Sequence, residues 1–255
     1  KIMLSAKPSL GLRLMEETGL MQIILPELTA LKGIEEVEGQ THKDNFWHTL
    51  EVVDNISKNT ENLWLRWAAL LHDIGKAPTK KFVDGIGWTF HGHEFLGSKM
   101  VKNLFYRLKL PLGSDMKYVQ KLVKLSSRPI ALVDDGTSDS ALRRLLFDAG
   151  DDLEDLFILN KADITTKNSS KQAKFKKNFE DVAVKIKEVE EKDQIRNFQP
   201  PISGEEIMAL FGLNPGREIG ILKEKVKEAI LEGEIGNDKE QAREFVIKEG
   251  KLLGL

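Results

Sequence analysis

The histidines of this sequence are few and clustered. All five lie between positions 42 and 93. Neutral imidazole is a common metal ligand and its cation binds phosphate, so the clustering predicts a metal or phosphate site. The adjacent pair His72 and Asp73 follows the apolar run 67–71, where two ionisable groups are costly to bury without partners. Binding a divalent cation would remove that cost. The alternative is a helix C-terminus whose dipole stabilises the histidine while the aspartate is exposed.

Two further residues belong with this pair. His48 lies on a predicted helix, away from its apolar stripe, and can therefore point into a cleft. Asp163 is a lone acid at the end of the apolar segment 156–159. The chain has no cysteine, so any metal must be held by His, Asp and Glu, which suit Mg²⁺, Mn²⁺, Fe, Ni²⁺ or Zn²⁺.

The elements that must position these residues are helices, and we predict an all-α fold. Apolar spacing and terminal Pro, Gly and Ser residues predict helices from Pro8 to Gly19, Pro26 to Gly33, 45–57, 63–71, 96–108, 116–125, 139–147 and 152–163, followed by a long charged helix. The segment 82–90 contains Asp84-Gly85 between apolar runs and predicts a small β-hairpin. Beyond Pro200-Pro201, a capping box at 203–206 and a helix with Pro215 at its first position predict a helical tail.

Composition limits the class of protein. The 255 residues carry a formal net charge of −2, so no global basic field marks a dedicated nucleic-acid binder. No run approaches the roughly 18 apolar residues of a membrane helix, and no signal peptide is visible. We therefore expect a cytoplasmic protein without membrane partners. Because the chain starts at Lys1, we also expect it to be a piece of a longer protein.

The segment from Leu70 to Lys76, with His48 before it and Asp163 after it, resembles the HD superfamily of phosphohydrolases. That family has a helical-bundle fold in which the four residues bind one metal. The resemblance implies that His48, His72, Asp73 and Asp163 are metal ligands and that the domain hydrolyses phosphoesters.

A closer resemblance covers nearly all of the chain. It is similar to the C-terminal part of bacterial CCA-adding tRNA nucleotidyltransferases and poly(A) polymerases with an HD domain. The segments that carry this similarity are 8–20, 26–28, 46–50, 87–94, 139–145, 162–165 and 202–207. It implies a neck or body remnant over 1–40, an HD domain over 41–200 and a helical tail over 201–255.

Two departures from that family matter. Its members add nucleotides with an N-terminal head that has no counterpart here, so nucleotidyl transfer is expected only if that head is present. Relatives also tend to have a His-x-Arg-Pro element where this chain has 126–129, which begins with Ser126. That serine weakens the prediction of a complete two-metal site.

The HD resemblance implies roles for residues around the metal. Asp73 is expected to ligate and to accept the proton of a bound water, and Lys76 and Arg128 to bind phosphate. For Arg128 a structural ion pair is an equal alternative. His91 and His93, which follow the predicted hairpin, are expected at a second metal or at the phosphate; the alternative is that they are surface or hairpin-end histidines. Implied substrates are 2′,3′-cyclic nucleotides, nucleoside monophosphates or a phosphorylated RNA end.

The competing hypothesis is a non-catalytic tRNA-binding body with a vestigial metal site. The segment 167–177 has five lysines and no acid, which predicts a local phosphate-contacting patch. A solvated helix face is the alternative. The residues we expect to contact RNA are Lys171, Lys174, Lys176 and Lys177, and tRNA is expected as a partner of the full-length protein.

Overall fold

The computed structural model describes residues 1–134, 138–166 and 168–255. Helices dominate these residues. In chain order they are α1 (Pro8–Glu17), α2 (Leu20–Ile24), α3 (Pro26–Thr29), α4 (Asn45–Ser57), α5 (Leu63–Leu71), α6 (Lys76–Thr79), α7 (His93–Arg107), α8 (Ser114–Leu125), α9 (Arg128–Asp134), α10 (Asp139–Ala149), α11 (Leu153–Asp163), α12 (Ser169–Asp193), α13 (Gly204–Phe211), α14 (Arg217–Glu232) and α15 (Lys239–Leu252). The predicted all-α class is confirmed.

Side-chain caps explain why α4, α5 and α13 begin where predicted. The Asp44 carboxylate accepts the backbone N–H groups of Phe46 and Trp47 and so caps α4. The Asn62 side chain caps α5 in the same way. Both helices have the predicted bounds. The predicted capping box is also present, with the Ser203 and Glu206 side chains bonded reciprocally to each other's backbone at the start of α13.

Two small antiparallel hairpins interrupt the helices. The predicted hairpin is confirmed as β3 (Lys81–Val83) and β4 (Gly87–Thr89), with Phe82 opposite Trp88. The other, β1 (Glu36–Val37) with β2 (Gln40–Thr41), was not predicted. Its two-residue turn places Glu38 and Gly39 at φ 53° and 74°. Such a turn favours Asn or Asp before the glycine, and no alternation of apolar residues flanks it, so the sequence carries only a weak signal.

One predicted helix start is wrong. Pro215 does not occupy the first position of a helix, because α14 begins at Arg217. Gly216 precedes it in a fully extended conformation, with φ −161° and ψ 179°. Such backbone separates Pro215 from the helix, and Pro215 lies in the connection after α13.

The chain divides into two compact units by internal contacts. The first comprises 1–130 and 152–174. In it α5 packs against α4, α8 and α11, and α11 also packs on α4. Its core is apolar and completely buried, with Phe46, Leu65, Leu71, Phe105, Leu122 and Leu156 among its members. The same packing brings the last residues of α5 and α11 close to α4, where His48 lies.

The second unit comprises 131–151 and 175–255. Here α14 packs against α10, α13 and α15, and Arg144 of α10 forms ion pairs with Glu228 and Glu232 of α14. The long charged helix α12 buries Phe179, Val182, Ile186 and Val189. Phe175, one turn before Phe179, is half-buried. The three segments predicted from the resemblance, 1–40, 41–200 and 201–255, stay a prediction.

No helix in the described part of the chain is long and apolar enough to cross a lipid bilayer.

Candidate metal centre

The end of α5 fixes the orientation of His72. The ring lies just beyond the last helical residue and is buried. Its Nδ1 atom lies 2.8 Å from the carbonyl oxygen of Ala69, one of the acceptors that a helix leaves unpaired at its C-terminus. Because Nδ1 donates to that carbonyl, Nε2 of the neutral ring is left with its lone pair. A backbone bond of this kind selects the tautomer of metal-binding histidines.

The structure brings together the four residues predicted as ligands. Nε2 of His48 lies 2.7 Å from Oδ1 of Asp163 and 3.9 Å from Oδ2 of Asp73. Nε2 of His72 lies 3.4 Å from each of these same two oxygens. We call these four residues the HD cluster. It joins the first turn of α4 to the C-terminal ends of α5 and α11.

The donor atoms of three residues of the HD cluster fit a divalent ion, and Oδ1 of Asp163 lies 2.7 Å and 3.4 Å from the two imidazole nitrogens. The donor atoms of His48, His72 and Asp73 all lie within 4.8 Å of one another. Atoms bound to one ion at about 2.0–2.2 Å can be at most about 4.4 Å apart, so a slight contraction suffices. Nε2 of His72 is also buried, and no group in the described residues completes a hydrogen bond to it. Two imidazoles and two carboxylates suit Mn²⁺, Fe, Ni²⁺ or Zn²⁺, and an ion would satisfy that nitrogen.

The ionisable groups of the HD cluster shift one another's pKa values. Burial opposes charge on the His72 ring, but the carboxylates of Asp73 and Asp163 outweigh it and raise the pKa of His72 to about 10. Burial also favours the neutral acid at Asp73, yet the charges of His72 and Lys76 hold its pKa below the ordinary value. The pKa of Asp163 is lowered in the same way against burial, by His72 and His48. Without an ion, the cluster therefore holds a proton between two carboxylates.

Gly75 allows α7 to approach the HD cluster. Its backbone is ordinary, with φ −76° and ψ −10°, so the turn itself does not require glycine. A Cβ atom at this position would lie 2.1 Å from the carbonyl oxygen of His93 and 2.8 Å from the amide nitrogen of Gly97. Gly75 is therefore required by the close packing of α7 and not by the turn. That packing places Nε2 of His93 3.6 Å from Oδ1 of Asp73.

His93 and Lys76 both face Asp73. Nδ1 of His93 lies 2.9 Å from the carbonyl oxygen of Phe90, so Nε2 can accept a proton on the side of Asp73. The Lys76 ammonium lies 2.7 Å from Oδ2 of Asp73 and 5.8 Å from the centre of the Phe90 ring. The carboxylate of Asp73 therefore has one oxygen toward His93 and the other toward Lys76 and the two cluster imidazoles.

Sequence reasoning missed three residues that support the cluster. Nζ of Lys43 lies 2.6 Å from Nδ1 of His48 and 2.8 Å from Oγ1 of Thr165. Thr165 itself lies 3.1 Å from the same His48 nitrogen. Asn55 of α4 donates to the carbonyl oxygen of Ala162, beside Asp163. The signal for Thr165 was its place two residues after Asp163. Lys43 and Asn55 carried no comparable signal.

The remaining predicted residues are not joined to the cluster by any contact described above. His91 is exposed in the turn between β4 and α7, two residues before His93. Arg128 is exposed at the first residue of α9. Ser126 is buried, and its hydroxyl donates to the carbonyl oxygen of Val123. Of the predicted RNA contacts, Lys174, Lys176 and Lys177 are exposed on α12. The Lys171 side chain and all of Lys167 lie outside the described residues.

Comparisons with known proteins agree with this architecture. A family profile described as HD domain matches residues 45–167, a range that contains all four cluster residues. A second profile, described as the probable RNA and SrmB-binding site of polymerase A, matches residues 1–32.

Curated relatives extend the match over most of the chain. A CC-adding tRNA nucleotidyltransferase of Thermus thermophilus is 33% identical over 97% of this chain and 54% of its own length. An A-adding tRNA nucleotidyltransferase of Deinococcus radiodurans is 33% identical over 92% of this chain and 53% of its own length. The chain thus spans about half the length of these relatives. These matches support a C-terminal portion of the tRNA nucleotidyltransferase family, with an HD domain over residues 45–167.

Proposed function

We propose that this chain is a metal-dependent phosphohydrolase that acts on nucleotides or on phosphorylated RNA ends. The single observation that supports this most is the convergence of two imidazoles and two carboxylates in the buried HD cluster. A module that only binds RNA has no need of such a costly buried cluster.

In this proposal His48, His72, Asp73 and Asp163 hold one divalent ion. When bound, such an ion lowers the pKa of a coordinated water and so supplies a nucleophile for attack on phosphorus. The identity of the metal is open among Mg²⁺, Mn²⁺, Fe, Ni²⁺ and Zn²⁺. We assign His91 and His93 to a second metal or to the phosphate, as the sequence predicted.

The other residues handle charge and protons. The Lys76 ammonium lies 2.7 Å from Oδ2 of Asp73, and in this proposal it would donate to the phosphoryl oxygens, where negative charge grows as the nucleophile attacks. Asp73 would accept a proton from the attacking water, and its second oxygen lies 3.6 Å from Nε2 of His93. Arg128 stays in the proposal as a phosphate contact. Candidate substrates are 2′,3′-cyclic nucleotides, nucleoside monophosphates and RNA ends that carry a phosphate.

The test is hydrolysis of 2′,3′-cyclic AMP and 3′-AMP by the purified chain. We expect turnover that a chelator abolishes and that Mn²⁺ or Ni²⁺ restores. His72→Ala and Asp73→Ala should remove it while the far-ultraviolet helical signal stays near that of the wild type. Glu61→Ala changes one exposed acid and serves as the matched control. Turnover that survives both cluster substitutions would place the chemistry elsewhere.

A second candidate function is binding of tRNA. The profile match over residues 1–32 names an RNA-binding site, and the relatives are named for their action on tRNA. The exposed lysines of α12 offer a phosphate-contacting surface. Both functions can coexist in one chain, and nucleotide addition is proposed only if an N-terminal head is present.

A further inference from the structure

A cleft lies at the end of the first unit's bundle opposite to the HD cluster. The helix α5 begins at this cleft with Trp64 in its first turn and ends at the cluster with His72, and α11 runs in the same direction from Asp152 to Asp163. At 1.5 Å per residue, these helices separate the cleft from the cluster by about 12–15 Å. The cleft has a volume of about 510 Å³, within the range of roughly 300–1,000 Å³ that is usual for small-ligand sites. It is therefore a separate candidate site.

Two aromatic rings of the cleft are held in place. The half-buried Trp64 ring packs beside the buried Phe105, with 5.6 Å between the ring centres and 36° between the ring planes. The Tyr118 hydroxyl donates to the Asp155 carboxylate at 2.6 Å and accepts a bond from the Asn62 amide at 3.4 Å. Rings that are fixed before binding lose little conformational entropy when a flat ligand stacks on them.

The Asp115 carboxylate also lines the cleft, and it has no partner. It is half-buried in the first turn of α8, and in the described part of the chain no donor or cation contacts it. The carboxylate of Asp152, in contrast, pairs with Lys121. An ionised carboxylate only accepts hydrogen bonds, so a ligand that satisfies Asp115 must bring N–H or O–H donors.

The charges of the lining limit the class of ligand. Two lysines and two aspartates line the cleft and cancel formally, so no net field attracts a phosphate or a cationic side chain. A nucleobase is uncharged and planar, and it carries hydrogen-bond donors on its edge. Bases stack on aromatic side chains, and curated relatives of this chain are named for their action on tRNA.

We propose that this cleft binds an unpaired nucleobase, stacked on Trp64, whose exocyclic amino group donates to Asp115. Adenine, cytosine and guanine carry such a group, and uracil does not. The alternative role for Asp115 is to stabilise the positive end of the α8 dipole. Base binding here needs no metal, so it is independent of the proposed hydrolysis.

The experiment follows the Trp64 indole N–H by ¹H–¹⁵N NMR spectroscopy. The chain has four tryptophans, and Trp64→Phe identifies the peak of Trp64. The probes are adenosine, inosine, which has a carbonyl in place of the amino group, and ribose, which has no base. We expect adenosine to shift the Trp64 peak and to bind about tenfold more tightly than inosine, since one hydrogen bond to a charged group contributes about that factor. Ribose should leave the peak in place.

Variants separate the two contacts. Trp64→Leu keeps an apolar side chain beside Phe105 and should lose about fivefold or more in adenosine affinity, measured by saturation-transfer NMR, because the stacking surface is gone. Asp115→Asn should remove most of the preference for adenosine over inosine. Trp47→Leu and Asp84→Asn change the same residue types at exposed positions elsewhere and should alter neither affinity. Thermal unfolding verifies that each variant is folded.

A hexa-adenylate RNA identifies the source of the base. Binding tighter than that of adenosine, with the same loss in Trp64→Leu, would assign the base to an RNA strand. Equal affinity for the two probes would assign it to a free nucleoside. Both results support the cleft as a base site.

Several outcomes would overturn the inference. They are a Trp64 peak that adenosine does not shift, an equal shift with ribose, and a Trp64→Leu variant with unchanged affinity. Tighter binding of N-acetylarginine amide than of adenosine would also overturn it, and would assign the cleft to an arginine of a protein partner. An unchanged preference for adenosine in Asp115→Asn would overturn the amino-group contact and leave Asp115 its role at the start of α8.

Discussion

Nε2 of His48 and Oδ1 of Asp163 lie 2.7 Å apart although 115 residues separate them in sequence. The contact joins the first turn of α4 to the last residue of α11, and the Asn55 bond to the Ala162 carbonyl holds the same two helices together. The HD cluster is therefore a tertiary feature, formed only when the bundle has closed.

Removing one cluster carboxylate should remove the metal. For Asp163→Asn we expect an affinity loss of more than about 100-fold, beyond the 10–100-fold typical of supporting residues. Equilibrium dialysis with elemental analysis measures it, and the isosteric change Asp84→Asn, at an exposed position, is the control. Unchanged metal content in Asp163→Asn would exclude this carboxylate as a ligand.

Metal binding should release a proton. The raised pKa of His72, about 10, means that its ring is protonated at neutral pH without an ion, and ligation requires the neutral ring. Protons and metal thus compete, and affinity should rise about tenfold per pH unit from pH 6.5 to 8.5. Calorimetry of Mn²⁺ binding in two buffers of different ionisation enthalpy measures the release. A value near zero at pH 7.5 would show that His72 is already neutral.

Thr165 should act on the metal through His48. Thr165→Val removes the hydroxyl that lies 3.1 Å from Nδ1 of His48 while preserving the shape of the side chain. We expect a loss of about 10–100-fold in Mn²⁺ affinity, because bonds to the second ring nitrogen orient metal-binding histidines. Thr166→Val alters the neighbouring hydroxyl, which bonds Asn168, and should have little effect. Equal effects of the two changes would contradict this role.

Gly75→Ala should destabilise the fold as well as the site. Its Cβ would meet the His93 carbonyl oxygen at 2.1 Å, so α7 must move. We expect the free energy of unfolding to fall by about 1–3 kcal/mol, as is usual for overpacking, and His93 to lose its place beside Asp73. Urea unfolding followed by circular dichroism measures it. Gly220→Ala, on the exposed surface of α14 with no atom near its Cβ, should instead be neutral or stabilising.

The lysines of α12 should control RNA binding without affecting hydrolysis. Replacing Lys171, Lys174, Lys176 and Lys177 with Ala should flatten the dependence of tRNA affinity on salt, by about 0.9 in log–log slope for each duplex phosphate that the variant no longer neutralises. The control removes four exposed lysines of the first unit, Lys102, Lys109, Lys117 and Lys124. Filter binding to a tRNA that lacks its 3′ end gives the slopes. Equal slopes for the wild type and the α12 variant would identify a solvated helix face.

Much of the fold followed from local sequence rules. The bounds of α4 and α5 agree with prediction because each helix combines an apolar stripe with a side-chain cap next to it in sequence. The start of α14 was not predicted correctly. Any residue can adopt the extended backbone of Gly216, so the sequence carries no signal for it.

The supporting residues of the site were harder to predict than the candidate ligands. His72 and Asp73 are conspicuous because ionisable groups follow an apolar helix. Lys43 and Thr165 are in contact although 122 positions separate them in sequence. Both residue types are common on protein surfaces, so no local sequence pattern predicts the contact. The need for Gly75 likewise depends on a helix that lies elsewhere in the chain.

The orientation of His72 depends on a main-chain atom. The acceptor for Nδ1 is the carbonyl oxygen of residue 69, and any amino acid that keeps α5 helical presents the same oxygen at the same place. Substitutions along α5 that preserve its apolar character should therefore leave the orientation of the His72 imidazole unchanged. Substitutions within this buried helix should therefore act on stability through packing, whereas substitutions at the two residues that follow it should act on the site directly.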